Sequence, residues 1–320
     1  MRDGDDGSRQ PDDAPTAAFP ERVPVHDQPV RLRNEIRRQR GSVWVPAVLV
    51  LVFGGWALSK ARAPKSKPSE MQIQAFGQLP VAYQGRVQPF DSLARNTLTV
   101  LSGREVVYVH DIDYFLFQPK LPAIRWILDL IAGTSASDQH RILRIENLDV
   151  LQSLDLKPRD GYRYSREEVA PHTTSIMRQA RLADEVAEGK RSLVQKKFRE
   201  LARNIRLLEI LQYSFAPPPL RFDSREHVEE DLANLNSAIA TLKLGGPQAV
   251  PPEEPEGEWQ ILIEAERDAI LQRVREKEVN QATLALRELI EAYRANDAAR
   301  FSRELASYKE IVAERSAAVE

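Results

Sequence analysis

The side chains best suited to chemistry stand in one short run, His110-Asp111-Ile112-Asp113, with Asp138 and His140 further along. Imidazole and carboxylate are donors that a zinc ion takes. An extended backbone would put Asp111 and Asp113 on one side of a strand. A polar loop ahead of Tyr114-Phe115 explains the same residues without a metal. A histidine can also hold haem iron axially, and His110 and His172 are the candidates. Neither stands in an aromatic-rich stretch of the kind that lines a haem pocket. The sequence has no phosphate loop, no Gly-x-Gly-x-x-Gly after a strand and no Gly-x-Ser-x-Gly elbow. An enzyme built on His110, Asp111 and Asp113 is therefore the least favoured reading. No catalytic residue, metal or cofactor is assigned.

Composition narrows the field further. The 320 residues contain no cysteine, which excludes disulfides, thiolate metal sites and covalent haem attachment through Cys-x-x-Cys-His. The formal net charge of −2 supplies no basic face for nucleic acid. Charged runs such as Glu276-Lys277-Glu278 and Arg287-Glu288 read as the solvated side of a helix.

The elements that would position any site begin with a membrane segment. Gly41 to Ser59 carries no charge, and at ~1.5 Å per residue it makes about 28 Å of helix, close to the ~30 Å of bilayer hydrocarbon. Trp44 and Trp56 sit near its ends, where indole rings prefer the headgroup boundary. The reading is a transmembrane helix over 42–60. Cleavage after Ala61-Arg62-Ala63 is the rival, set against the long preceding region, Lys60 and the following Pro64. Arg31, Arg33, Arg37, Arg38 and Arg40 precede the span and Lys60, Arg62, Lys65 and Lys67 follow it; the Arg cluster, within ten residues of the span, decides for a single pass of the plasma membrane with a cytoplasmic N-terminus and an extracytoplasmic main domain.

The fold class read from the pattern is mainly α: a single-span membrane anchor, then an α-helical extracytoplasmic domain with a small β-hairpin near its start. Residues 1–41, with Asp3, Asp5, Asp6, Asp12 and Asp13 among prolines, read as a disordered tail. A linker over 61–70 leads to a helical domain at 71–216, a helix and Pro-rich linker at 217–257, and a C-terminal helical hairpin region at 258–320. Val81-Ala82-Tyr83 and Arg86-Val87 flank Gln84-Gly85 as a hairpin. A helix follows over 92–101, with Asp91 as its N-cap and Gly103 closing it. Another covers 122–132 up to Gly133, and Ser165 caps one beginning at Arg166. Helical periodicity runs over 173–213 as one long helix or a helix pair, with a bend or break at Gly189, and Pro217-Pro218-Pro219 ends it. Val228, Leu232, Leu235, Ile239 and Leu242 form a narrow seam for one partner helix. Gly245 to Gly257 reads as a linker or exposed loop. Leu286, Ile290 and Tyr293, then Phe301, Leu305, Tyr308 and Val312, flank the Asn296-Asp297 turn of an αα-hairpin.

One stretch is more specific than the rest: Phe76-Gly77-Gln78-Leu79-Pro80-Val81-Ala82-Tyr83-Gln84-Gly85-Arg86-Val87-Gln88-Pro89-Phe90-Asp91-Ser92-Leu93-Ala94-Arg95. It resembles the segment after the first membrane span of the large cytochrome c biogenesis proteins of the CcsA/ResC (System II) type. Weaker likeness continues in Trp126-Ile127-Leu128-Asp129-Leu130, Arg144-Ile145-Glu146-Asn147, Leu154-Asp155-Leu156 and Gly161 to Glu168. It returns in Ala292-Tyr293-Arg294-Ala295-Asn296-Asp297 and Phe301. The resemblance implies membership of a pathway that moves haem outward and joins it to apocytochrome c. It also implies an outward-facing soluble domain and a multi-spanning cytochrome c assembly protein as partner, with apocytochrome c as a second. The Trp-rich motif and axial histidines of that family lie in a later multi-spanning part. The chain stops at Glu320 before any second span, so a split subunit or a shortened product is expected, and the attachment activity transfers to no residue here.

Within the shared segment, Gly85 suits a turn, Pro89 the entry to a helix, and Leu79, Val81, Phe90 and Leu93 a core. Arg86 has no evident packing role. It can pair with Asp91 or hold a carboxylate such as a haem propionate. Arg86, Asp91 and His110 are the candidate binding residues. The function read from all this is a membrane-anchored component of cytochrome c assembly and haem delivery that docks a multi-spanning haem-handling partner. The alternative is a general membrane-anchored helical scaffold of the cell envelope with no haem role.

Overall fold

The computed structural model describes residues 44–61, 70–108, 119–216, 224–254 and 257–317. The chain divides into two units, Met1–Lys65 and Ser66–Glu320. The tail expected over 1–41, the spacer after residue 61, the His110 run and the triple proline at 217–219 lie outside the described residues.

In the first unit, helix α1 (Trp44–Ala61) forms over the uncharged run, with Pro46 in its first turn, where a missing N–H costs little. Its large side chains are exposed on every side, Leu51 by 74 % and Phe53 by 66 %. Among the described residues no helix is long and apolar enough to cross a membrane. The span expected over 42–60 lies partly outside those residues.

The second unit is mainly helical, with small two-stranded antiparallel sheets. It opens with α2 (Ile73–Gly77), then β1 (Pro80–Tyr83) and β2 (Arg86–Pro89), paired from Pro80 opposite Pro89 to Tyr83 opposite Arg86. Gln84 and Gly85 both take positive φ, 51° and 74°, the I′ geometry whose twist matches a hairpin. The expected hairpin is there.

Pro89, at φ −62°, delivers the chain straight into α3 (Phe90–Ser102). The helix therefore starts earlier than expected, and Pro89 rather than Asp91 is its N-cap. Asp91 falls in the first turn, where it favours the positive end of the helix dipole, and bonds Arg95 one turn on. Gly103 closes α3 in the left-handed conformation at φ 70°.

A second sheet pairs β3 (Val106–Tyr108) with β4 (Lys120–Pro122). The chain continues into α4 (Ala123–Ile131), whose residues are all buried except Arg125. A helix apolar all round belongs in a core, and α4 packs against α2, α3 and two later helices, Leu193–Tyr213 and Gln281–Arg294. Gly77 permits the close approach of α2: a Cβ there would meet Asp91 Cβ and Ile124 Cγ1, each at 3.2 Å.

After α5 (Ser135–Gln139), β5 (Arg141–Arg144) and α6 (Leu148–Ser153), β6 (Arg163–Ser165) pairs with β5. These last two sheets were not foreseen, because strands of three or four residues carry too little alternation to read. Ser165 caps α7 (Arg166–Val169) in a full capping box with Glu168. The periodic stretch resolves into α8 (Thr173–Asp184) and α9 (Leu193–Tyr213), with a tight turn over Glu188–Lys190 between them. Gly189 is within that break, as expected.

In α10 (Arg225–Lys243), the described part of the seam, Leu235, Ile239 and Leu242, packs on Ile261 and Ile263 with Ile210. Its cover is thus shared between α9, which carries Ile210, and the start of the helix at Leu262–Val274, rather than supplied by one partner helix. The stretch expected as linker or exposed loop is partly interior. Ala249 and Val250 are fully buried, and their neighbours' backbone groups are satisfied by Ala82–Gln248 and Val250–Gln260 bridges at 2.8–3.0 Å. Prolines that break helices are compatible with this extended course.

The unit ends in α11 (Leu262–Val274), α12 (Gln281–Arg294) and α13 (Ala298–Ala317). The last two form the expected hairpin around Asn296, at φ 54°. One core runs from Phe76 to Val312. Arginines close three helix ends: Arg163 Nε donates to Ser102 O at 2.9 Å, Arg191 Nε to Ala183 O at 2.8 Å, and Arg294 Nε to Ala132 O at 2.7 Å. A cation on orphan carbonyls at a C-terminus is the favourable sign for the helix dipole.

Candidate functional site

Asp129 is the one acid on α4, and its carboxylate collects donors from three parts of the chain. Tyr293 donates to Oδ1 at 2.7 Å, Thr134 Oγ1 lies 3.3 Å from the same oxygen, and His140 Nε2 is 3.0 Å from Oδ2. The group is 7 % exposed, so these bonds replace water that a buried carboxylate would otherwise lack. Burial raises the Tyr293 pKa far above its ordinary value, the Asp129 charge adds to this, and Arg125 opposes it. Asp129 with His140 has the form of an imidazole oriented by a carboxylate. Among the described residues no hydroxyl or thiol nucleophile is bonded to His140, so the cluster has no acyl-transfer geometry. It ties α4 to the C-terminal hairpin.

Sequence reasoning passed over this cluster as a site. The signal was present: one acid in the apolar run Trp126–Ile131 must be partnered if that run is interior.

The sequence-derived candidates go elsewhere and do not meet. Asp91 pairs with Arg95 at 2.7 Å, and Arg95 also approaches Glu105 at 3.5 Å; the Asp91 hydrogen bond leads in raising the Arg95 pKa. Arg86 therefore does not pair with Asp91. It is exposed on β2 and lines a groove of about 810 Å³ with Arg203 and Arg206 of α9. His110 lies outside the described residues. Its proposed companions diverge: His140 turns to Asp129, and Asp138 lies 3.6 Å from Arg166. Among the described residues no cluster of histidine and acids could hold a metal ion. His172 is partly exposed at the entry to α8.

No family model matches the chain, and no curated protein matches it either.

The stretches singled out in the sequence at 76–95, 126–130, 161–168 and 292–301 come together in the unit. Phe76 and Phe90 meet as tilted rings at 4.8 Å between centres, and Phe301 meets Phe76 at 6.4 Å and Tyr293 at 6.0 Å. Asp129 receives Tyr293, and Arg294 closes α4. In the Gly161–Glu168 stretch, Arg163 reaches back to α3, and Arg159 bonds Glu168 at 2.6 Å.

Proposed function

We propose that the chain is a non-enzymatic, membrane-anchored component of outward-facing cytochrome c assembly, whose helical unit docks a multi-spanning haem-handling protein. The supporting observation is that the separated stretches resembling that family form one shared core, with Phe76 and Phe90 against Phe301 and Asp129 against Tyr293. Stretches that must fit together in space are read as one inherited unit rather than scattered coincidences.

The anchor is the uncharged run from Gly41 to Ser59. Apolar side chains exposed all around α1 would be costly in water and favoured in hydrocarbon. With the arginine cluster on the cytoplasmic side, the helical unit stands outside. Apocytochrome c is the second partner in this reading.

Affinity purification of the tagged full chain from gently solubilised membranes tests it. Recovery of a multi-spanning protein with a Trp-rich motif is expected. A general envelope scaffold would instead bring down unrelated membrane proteins, and no assembly component.

A further inference from the structure

The groove that holds Arg86 is lined by cations and apolar side chains. Its walls come from the β1–β2 hairpin, α3, α9 and the residues just after α10, and its lining contains three arginines and no acid. None of Arg86, Arg203 and Arg206 is paired with an acid among the described residues. That is not the habit of this helix face: Lys197 bonds Glu200 at 2.8 Å and Arg199 bonds Asp184 at 2.5 Å. All three are exposed, and Arg203 and Arg206 also border a hollow with Asp184 and Glu200; on the side facing Arg86 the lining offers them no counter-charge, so an anion entering there meets three like cations.

A second observation points the same way. Asn204 also lines the groove. It is 4 % exposed, and its Oδ1 is buried without a hydrogen-bond partner. An amide in that state lacks a partner that the fold does not provide, and it can present either its oxygen or its NH₂. Between the polar groups lie Leu93, Val100, Leu207, Ile210 and Leu244, with Val100 56 % and Leu244 90 % exposed.

We infer that this groove binds an amphiphilic organic dianion: an apolar body against Val100, Leu207 and Leu244, acid groups on Arg86, Arg203 and Arg206, and a polar atom on Asn204. The volume of about 810 Å³ lies within the ~300–1,000 Å³ usual for small-molecule pockets. Planar carboxylates suit the arginine fork. The inference stands apart from the docking role and does not need it.

The test is calorimetric titration of the full chain, in nanodiscs of neutral lipid, with naphthalene dicarboxylate. One molecule is expected to bind per chain, more weakly as salt rises. Arg203→Gln with Arg206→Gln should weaken binding at least about tenfold, and Asn204→Leu should weaken it too. If the double variant melts differently from the parent, Arg86→Gln at the exposed hairpin gives the same reading. The uncharged dimethyl ester and inorganic phosphate should each bind far more weakly. Equal binding by either of them, or affinity indifferent to the arginines, would overturn the inference. So would arginine-dependent binding found only with anionic vesicles or an acidic peptide.

Discussion

The Tyr293 hydroxyl donates to Asp129 Oδ1 at 2.7 Å across 164 residues of sequence. This bond joins the C-terminal hairpin to the central helix of the unit, and it is buried. Tyr293→Phe removes the donor but keeps the ring against Phe301, leaving the carboxylate one partner short. A loss of about 1–3 kcal/mol is expected, read as an earlier midpoint in urea unfolding. Asp129→Asn, which still offers an acceptor to Tyr293, should cost less in the bond to that hydroxyl. Equal stability of Tyr293→Phe and the parent would mean that the bond contributes nothing.

Alkaline solutions should loosen the same region. Burial raises the pKa of both Tyr293 and Tyr308 above the ordinary 10.0, and Tyr308 also donates to Ala249 O. A raised pKa means that the unfolded chain ionises first. The contribution is therefore fully present below pH 10 and is lost as pH rises beyond it. Melting curves taken upward from pH 9 should show this fall, and Tyr308→Phe should flatten it. A profile as steep in the variant as in the parent would refute the assignment.

Acid should act through the capping box. Burial pushes the Glu168 carboxyl up, but the Ser165 N–H and the Arg159 and Arg141 guanidiniums outweigh it and hold its pKa below 4.5. A lowered pKa gives stability that is present above pH 4.5 and lost as pH falls through the folded value. Glu168→Gln should remove that part of the acid transition. Ser165→Ala should cost about 0.5–2 kcal/mol at neutral pH, measured by thermal unfolding.

Phe301 is fully buried between Phe76 and Tyr293. Phe301→Ala should destabilise the second unit by about 3–5 kcal/mol, because the cavity opens between the first helix of the unit and its last hairpin. Protease sensitivity should then appear near both Phe76 and Tyr293. Cleavage confined to the hairpin would show that the two do not share one cooperative core.

Much of the helical order was legible because long amphipathic stretches announce themselves: the 173–213 stripe, the break at Gly189 and the hairpin around Asn296 all have their counterparts in the structure. The hairpin at Gln84-Gly85 was readable from its turn chemistry. What escaped was set by partners distant in sequence. Nothing local to Gly245–Gly257 says that Ala249 and Val250 will be buried under Tyr308, and proline content argues the other way. Asp91 looked like a cap because it precedes an apolar run, yet Pro89 already fixes the entry geometry. For the site, Arg86 was singled out because the sequence gives it no evident packing role, and it is exposed on β2. Its neighbours Arg203 and Arg206 are more than 100 positions away in the chain, on a helix whose stripe drew attention only to its apolar side.

The most direct test is the amount of covalently bound haem in membranes of cells that lack this chain. Haem-stained c-type cytochromes should fall sharply while their apoproteins are still made, and restoring the full chain should restore them. Unchanged c-type cytochromes in the deletion strain would contradict the proposed role.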